Sequence, residues 1–364
     1  LVHWHGSRNE RRSERHKRGQ IMRRYSTLLV PVILIVWVGV LAQSVYSQKD
    51  QRARLESAEP VIWRDPGNIR ARNLRDGPGA RRLAPAPPFT FIEEVKSGES
   101  PKIAIRDARG IKWVVKLGEE SQAETVSTRL VWAIGYFAEE AYYFKRVTIR
   151  NLPKLSRGQE FVIRRNVLLS ARFEPRRQNL QSGPEWDWND NPFQGSRELS
   201  GLKIMMILLN NYDARKQNNK IYFTRHSVNG APEARYYVTD LGATLGKADG
   251  LGGKRSKNNL KDFLSTRFVL GVEDNEAVKF DYDTRPTNLG MLSIVYLPYY
   301  RGEVKKEKAM RGIPVEHARW VGSLLSQLSD NQLRQAFIVA GYKPATINGF
   351  VHALRDRINQ LTRL

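Results

Sequence analysis

Beyond residue 88 the chain changes between two hydrophobic periods. Short runs with apolar alternation, FTFIEEV from Phe89, PKIAIRD from Pro101 and IKWVVKLG from Ile111, are separated by the turns KSGES and ARG. They predict an antiparallel meander. Over 121–140 the period lengthens to that of a helix, with Ser121 as N-cap and Val126, Leu130, Ala133, Ile134 and Phe137 on one apolar face. YYFKRVTI and EFVIRRNVLLSARFEP read again as strands, so residues 89–182 are expected to form a β-rich lobe with one helix.

The Gly-, Pro- and Asn-containing segment QNLQSGPEWDWNDNPFQG marks the boundary of a second lobe, 183–364. There SRELSGLKIMMILLNNYD is helical in period, while IYFTR and RYYVTDLG are strand-like. Two helices close the chain: SDNQLRQAFIVAG, opened by a Ser329-x-x-Gln332 capping box, and ATINGFVHALRDRINQL. The expected fold class is α+β in two lobes, the first mainly antiparallel sheet and the second mainly helical.

Upstream, residues 28–42 read LLVPVILIVWVGVLA, fifteen residues without a charge, directly behind a stretch containing Arg23 and Arg24. This is the pattern of an export signal. It is shorter than the ~20 residues of a spanning helix, which favours a cleaved signal peptide over an uncleaved membrane anchor. Either one places the rest of the chain outside the cytoplasm, as a periplasmic, secreted or membrane-anchored protein. Met22 is read as the start of this leader (22–44), and residues 1–21 as upstream sequence or an extended basic region. Residues 45–88 read as a linker, because six prolines and eight arginines fall between positions 51 and 88 without an apolar period. Such a stretch would act as a tether.

Composition narrows the chemistry. The 364 residues include no Cys, which excludes disulfides, thiolate zinc sites, iron–sulfur clusters and cysteine nucleophiles. Of six His, three (His3, His5, His16) precede the leader, and His226, His317 and His352 are far apart, with no HExxH. The net charge is +23; residues 1–24 carry eight Lys/Arg and two Asp/Glu, so the remainder keeps +17. Outside the cytoplasm such a surface suits anionic lipid, polysaccharide or a phosphorylated substrate. No nucleic-acid-binding motif is present, and export argues further against nucleic acid.

Three separated pieces carry candidate chemistry. Lys116 ends the strand WVVKLG, and Glu124 follows in the helix QAETVSTRL. A carboxylate that holds a flexible Lys in one geometry fixes an ammonium over phosphate oxygens. In LLNNYDARKQNNKIYF, Asp213 precedes Asn218 by five residues, offering an acid that takes a hydroxyl proton and an amide oxygen for a hard cation. Asn219 follows directly, and the five-residue spacing selects Asn218. In VTDLG, Asp240 ends a strand before Gly242, where a carboxylate can bind Mg²⁺.

In the order Lys, Glu, Asp-x4-Asn, Asp-x-Gly, the chain resembles the protein-kinase-like superfamily, in particular its atypical HipA-like, phosphoinositide 3/4-kinase-like and secretory-pathway branches. The resemblance runs from about Phe89 onward. It implies ATP or another nucleotide with Mg²⁺ or Mn²⁺ in a cleft between lobes. Lys116 would then touch the nucleotide phosphates with Glu124 as its partner. It further implies Asp213 as the catalytic acid–base residue and Asn218 and Asp240 as metal ligands. Two departures shift the resemblance towards the atypical branches. Asn210, Asn211 and Tyr212 stand where many members have HR before the catalytic Asp, and KSGES offers one Gly in place of GxGxxG.

The function expected is an exported phosphotransferase whose acceptor is unknown, the basic surface favouring an anionic one. The alternative is a non-catalytic kinase-fold module, tethered at the cell envelope and binding anionic lipid, polysaccharide or a protein through its basic surface. Residues 187–198 place Asp, Asn, Asn and Glu at the first, third, fifth and twelfth positions of an EF-hand loop, but Pro192 takes the position of its required Gly. They are read instead as an inter-lobe loop with Trp186 and Trp188 in the core. The loop 247–261, rich in Gly and Lys/Arg, lacks Walker spacing. GxSxG is absent.

Overall fold

The computed structural model describes residues 50–176, 180–224, 232–247, 255–284 and 297–364. The leader 22–44, residues 1–21 and most of the Gly-rich part of the basic loop therefore lie outside the described residues. The chain divides into two compact units, 1–58 and 59–364. Of the first, residues 50–57 are helical and carry the ion pairs Arg52–Glu56 and Arg54–Asp50. Among the described residues no helix is long and apolar enough to cross a membrane.

The second unit is mixed α+β. Strand β1 (Glu59–Val61) comes first, followed by β2 (Phe89–Val95), β3 (Lys102–Arg106) and β4 (Lys112–Leu117). Helix α1 (Glu120–Ala133), β5 (Phe137–Ala138), β6 (Tyr142–Arg150), β7 (Val162–Arg164) and β8 (Val167–Pro175) follow. The predicted meander β2–β3–β4 is present, and the sheet order is β4-β3-β2-β6-β8-β7. Because β4 also pairs with β8, this sheet curls until its strands close on one another.

Alternation decides what the closed sheet encloses. Trp113, Val115 and Leu117 of β4 point into a core with Ile103, Ile105, Leu168 and Phe173. Val114 and Lys116 therefore lie on the other face, where the register sets Lys116 opposite Arg172 and Val114 opposite Glu174. That strip forms one wall of the site.

Helix α1 is shorter than expected. It stops at Ala133 and Gly135 takes φ +100, at a position where a Cβ would lie 2.2 Å from the Arg64 carbonyl oxygen. Phe137 belongs instead to β5, which pairs with Tyr237 and Val238. Ser121 is not the cap, since Glu119 occupies that position and the Ser121 hydroxyl donates to the Lys116 carbonyl at 3.1 Å.

The proline- and arginine-rich stretch is no free tether from residue 59 onward. Strand β1 pairs in parallel with β11 (Glu233–Val238), and Ile62, Ile69 and Leu74 are buried. The backbone here is satisfied by local turns and, in part, by side chains from elsewhere. Arg129 donates to Leu74 O at 3.0 Å, and Gln332 to Ile69 O and Arg72 O, each at 2.9 Å. A segment held in this way needs no helical or strand period, which is why its pattern resembles a linker.

The second sheet has the order β1-β11-β10-β9, where β9 is Leu180–Ser182 and β10 is Asn219–Thr224. Helix α2 (Arg197–Leu208), capped by the Ser196 hydroxyl on Leu199 N–H, is buried almost all round and precedes the Asp213 loop. Helices α3 (Leu260–Leu264), α4 (Leu297–Ala309), α5 (Val315–Ser326), α6 (Asp330–Val339) and α7 (Pro344–Thr362) complete the unit. The Ser329/Gln332 capping box opens α6 as expected. A small sheet of β12 (Val269–Val272), β13 (Ala277–Phe280) and β14 (Ile313–Pro314) adds strands that the sequence pattern did not single out.

Candidate functional site

Lys116 is buried, with only 2% of its side chain exposed, and its ammonium meets three carboxylates. Glu120 Oε2 lies at 2.8 Å, Glu124 Oε2 at 3.3 Å, and Asp240 Oδ1 is also in contact. Glu120 and Glu124 stand one turn apart on α1, so both face the same strand. Asp240 follows β11 with φ +53. Gly242 lets that turn approach α1, since a Cβ there would come within 2.8 Å of Glu120 Cβ. On the other side of Glu124, Arg172 Nε lies at 3.1 Å, while Arg172 Nη2 donates to Glu174 at 3.0 Å.

This network sets the charges of its members. Burial alone would lower the Lys116 pKa, but Glu124, Asp240 and Glu120 outweigh it and hold Lys116 well above the ordinary lysine range. Burial pushes Glu124 up, against the pull of Arg172 and Lys116. Burial opposes ionisation of Asp240 too, but contact with Lys116 leaves it below its usual value. Glu120 is held down at about 2 despite its burial, by Lys116, Lys257 and the Ser100 hydroxyl.

A carboxylate whose pKa falls on folding stabilises the fold above its ordinary value of 4.5 and loses that contribution as pH drops through the folded value. The stability advantage of the unmodified chain over Glu120→Gln is therefore expected to be full above about pH 5 and to shrink as pH falls towards about 2. Urea unfolding of both proteins across that range is the check; a constant difference would contradict this assignment.

The Asp213 loop is built by its neighbours. Asn210 takes φ +51 and donates to Gly246 O at 2.8 Å, and Asn211 Oδ1 accepts from Asp213 N–H at 3.0 Å. Arg357 of α7, buried, donates to Leu208 O at 2.7 Å and Asn210 Oδ1 at 3.1 Å. Burial lowers this guanidinium to about 9. Asn218 Nδ2 donates to Asp213 O at 2.8 Å and to Asp213 Oδ2 at 2.9 Å, while Arg215 pairs with Asp213 Oδ1. Thr239 N–H and Oγ1 both donate to Asn218 O, which ties the loop to the residue before Asp240.

Lys116, Glu124, Asn218 and Asp240 thus line one cavity of ≈ 330 Å³. Arg172, Glu174, Val95, Val114 and Tyr222 also line it. Asp213 is outside that lining and reaches it through Asn218. The side chains of Glu120, Arg172 and Arg215 escaped the sequence reading, and Lys257 was read only as one charge of the basic Gly-rich loop, not as the partner of Glu120. Glu120 was signalled by its i, i+4 spacing to both Lys116 and Glu124, and Arg215 by its place two residues after Asp213. Arg172 joins through strand register.

The donor chemistry fits a small hard cation. Among the described residues, Asn218 Oδ1 and Asp240 Oδ2 accept no hydrogen bond, and 44% of the Asp240 side chain is exposed. Among the described residues no cluster of three or more His, Cys, Asp or Glu could hold a metal. Two protein oxygens suffice for Mg²⁺, which is commonly held by one or two protein ligands together with phosphates and water. At the EF-hand-like segment, Asp187 instead pairs with Lys305 at 2.8 Å and accepts Asn189 N–H, and Trp186 and Trp188 are buried as expected.

No protein-family model matches the sequence, and no curated protein matches it. One solved structure to which the chain is similar is that of a Helicobacter pylori proinflammatory kinase, CtkA, with 14% sequence identity and a TM-score of 0.39, over 75% of this chain and 96% of that chain. A likeness of that size assigns neither ligand nor reaction to this chain.

Proposed function

We propose that the chain is a two-lobed, kinase-like phosphotransferase that binds a nucleotide and a divalent cation in the ≈ 330 Å³ cavity. The observation that carries this reading is the convergence there of Lys116, Glu124, Asn218 and Asp240 from a strand, a helix and two loops. The closed sheet presents Lys116 towards the cavity, and Glu124 keeps its ammonium in one place for the nucleotide phosphates. Val95, Val114 and Tyr222 offer surface for the base. Mg²⁺ or Mn²⁺ held by Asn218 and Asp240 would supply charge neutralisation at the phosphates. Asp213 takes the proton of the acceptor hydroxyl as its oxygen bonds to the terminal phosphorus and the bond to the departing nucleoside diphosphate breaks. The apolar run 28–42 behind Arg23 and Arg24 supports placing this activity outside the cytoplasm.

Calorimetry with ATP tests the reading. Binding is expected to require Mg²⁺ or Mn²⁺, and Asp240→Asn is expected to abolish the metal-dependent part while leaving the fold intact. ATP binding that is equal with and without metal, or unchanged in the variant, would remove Asp240 from the site. No binding under any condition would leave the chain a binding module.

A further inference from the structure

One wall of the ≈ 330 Å³ cavity carries a row of cations that runs across the sheet. Pairing sets Val95 of β2 opposite Lys102 of β3, Lys102 opposite Lys116 of β4, and Lys116 opposite Arg172 of β8. All four residues line the cavity. Alternation agrees, because Ile103 and Ile105 of β3 belong to the core and leave Lys102 on the face that carries Lys116. Neighbouring strands lie about 4.8 Å apart, so Lys102, Lys116 and Arg172 stand side by side.

Their charges are not met equally. Lys116 meets Glu120, Glu124 and Asp240, and Arg172 meets Glu124 and Glu174. Lys102 is half-buried and has neither an ion pair nor a side-chain hydrogen bond among the described residues. Its ammonium rests against the turn between β2 and β3: a Cβ on Gly98 would lie 3.2 Å from Lys102 Nζ, and Ser97 of that turn also lines the cavity. The turn is tied in place. Arg157 donates to Lys96 O at 3.2 Å and to Gly98 O at 3.0 Å, and the Ser100 hydroxyl donates to Glu120 at 2.8 Å.

Like charges directly opposite on neighbouring strands destabilise a sheet. Carboxylates of the chain offset that cost at Lys116 and Arg172, whereas at Lys102 the offset is left to a bound anion.

We infer that Lys102 is a second phosphate-binding residue of this cavity, donating to phosphate oxygens from beside Lys116. The three carboxylates around Lys116 fix its position but also cancel its charge, and Lys102 supplies the unmatched positive charge that a polyphosphate attracts. The nucleotide in this inference rests on the phosphotransferase reading; the affinity for phosphate rests on the row itself.

Calorimetry of the full chain tests it with two ligands, ATP with Mg²⁺ and tripolyphosphate, which carries the phosphates without base or sugar. Lys102→Gln is expected to weaken both about ten-fold or more with an unchanged urea midpoint, and Lys102→Arg to keep most of the affinity. Lys112→Gln removes the same charge from an exposed position on β4 and is expected to match the unmodified chain. An equal loss in Lys112→Gln, or a loss in Lys102→Gln that accompanies a lowered urea midpoint, would overturn the inference. The two claims fail differently. If ATP binds Lys102→Gln as tightly as the unmodified chain, the inference falls and the phosphotransferase reading stands. If tripolyphosphate binds through Lys102 while ATP does not bind at all, that reading falls and the phosphate site stands. Neither ligand binding the unmodified chain would remove both.

Discussion

Lys116→Met is expected to abolish nucleotide binding and to lower unfolding stability by about 3–5 kcal/mol, the usual cost of removing one partner from a buried ion pair. Met fills much of the same volume, so the loss reports charge more than packing. Without the ammonium, Asp240 can turn to water, because 44% of its side chain is exposed. Glu124 has no such escape, since it is 1% exposed and is left to Arg172 alone. Glu120 keeps Lys257 and Ser100. The penalty therefore falls mainly on Glu124, and a second substitution, Glu124→Gln in the Lys116→Met background, is expected to recover part of it. Urea unfolding of the single and double variants checks both statements. A Lys116→Met protein within about 0.5 kcal/mol of the unmodified chain would mean that the four groups do not share one buried network.

Asp213→Asn is expected to reduce phosphate transfer by a factor of about 10²–10⁴, the range that general acid–base catalysis contributes, while nucleotide binding persists. The amide oxygen can still accept from Asn218 Nδ2, although the pair with Arg215 is lost, and it cannot take a proton from the acceptor. The expected result is thus a fall in turnover with an unchanged calorimetric ATP isotherm. Transfer at the unmodified rate would take the acid–base role away from Asp213 and leave it as a support for Asn218.

The strands and the ends of the site were legible because alternation is a local property. FTFIEEV, KIAIR and KWVVKL announce themselves, and once β4 is a strand, Lys116 must lie on the face opposite Trp113, Val115 and Leu117. What a single sequence does not carry is register. The pairing of β4 with β8 sets Arg172 opposite Lys116, and no local pattern distinguishes that alignment from one shifted by two residues. The end of α1 was obscured for another reason. Ile134 and Phe137 continue the helical period although Gly135 breaks the backbone, so the apolar signal outlasts the helix. Helix α5 was not singled out although its buried stripe, Ala318, Val321, Gly322 and Leu325, has the spacing of one apolar helical face. The stretch from residue 59 to Leu74 was misread because its anchors, Arg129 and Gln332, lie far along the chain.

The clamp by Arg357 also has a temporal meaning. Asn210 receives its guanidinium across 147 positions of sequence, so during synthesis the loop that presents Asp213 is made long before the residue that steadies it. A ribosome that has delivered Lys116, Asp213 and Asp240 has still not delivered a set site. Any nascent chain arrested before Arg357 emerges carries Asp213 without the brace that orders its loop. The order of this loop therefore arrives late, with the docking of α7.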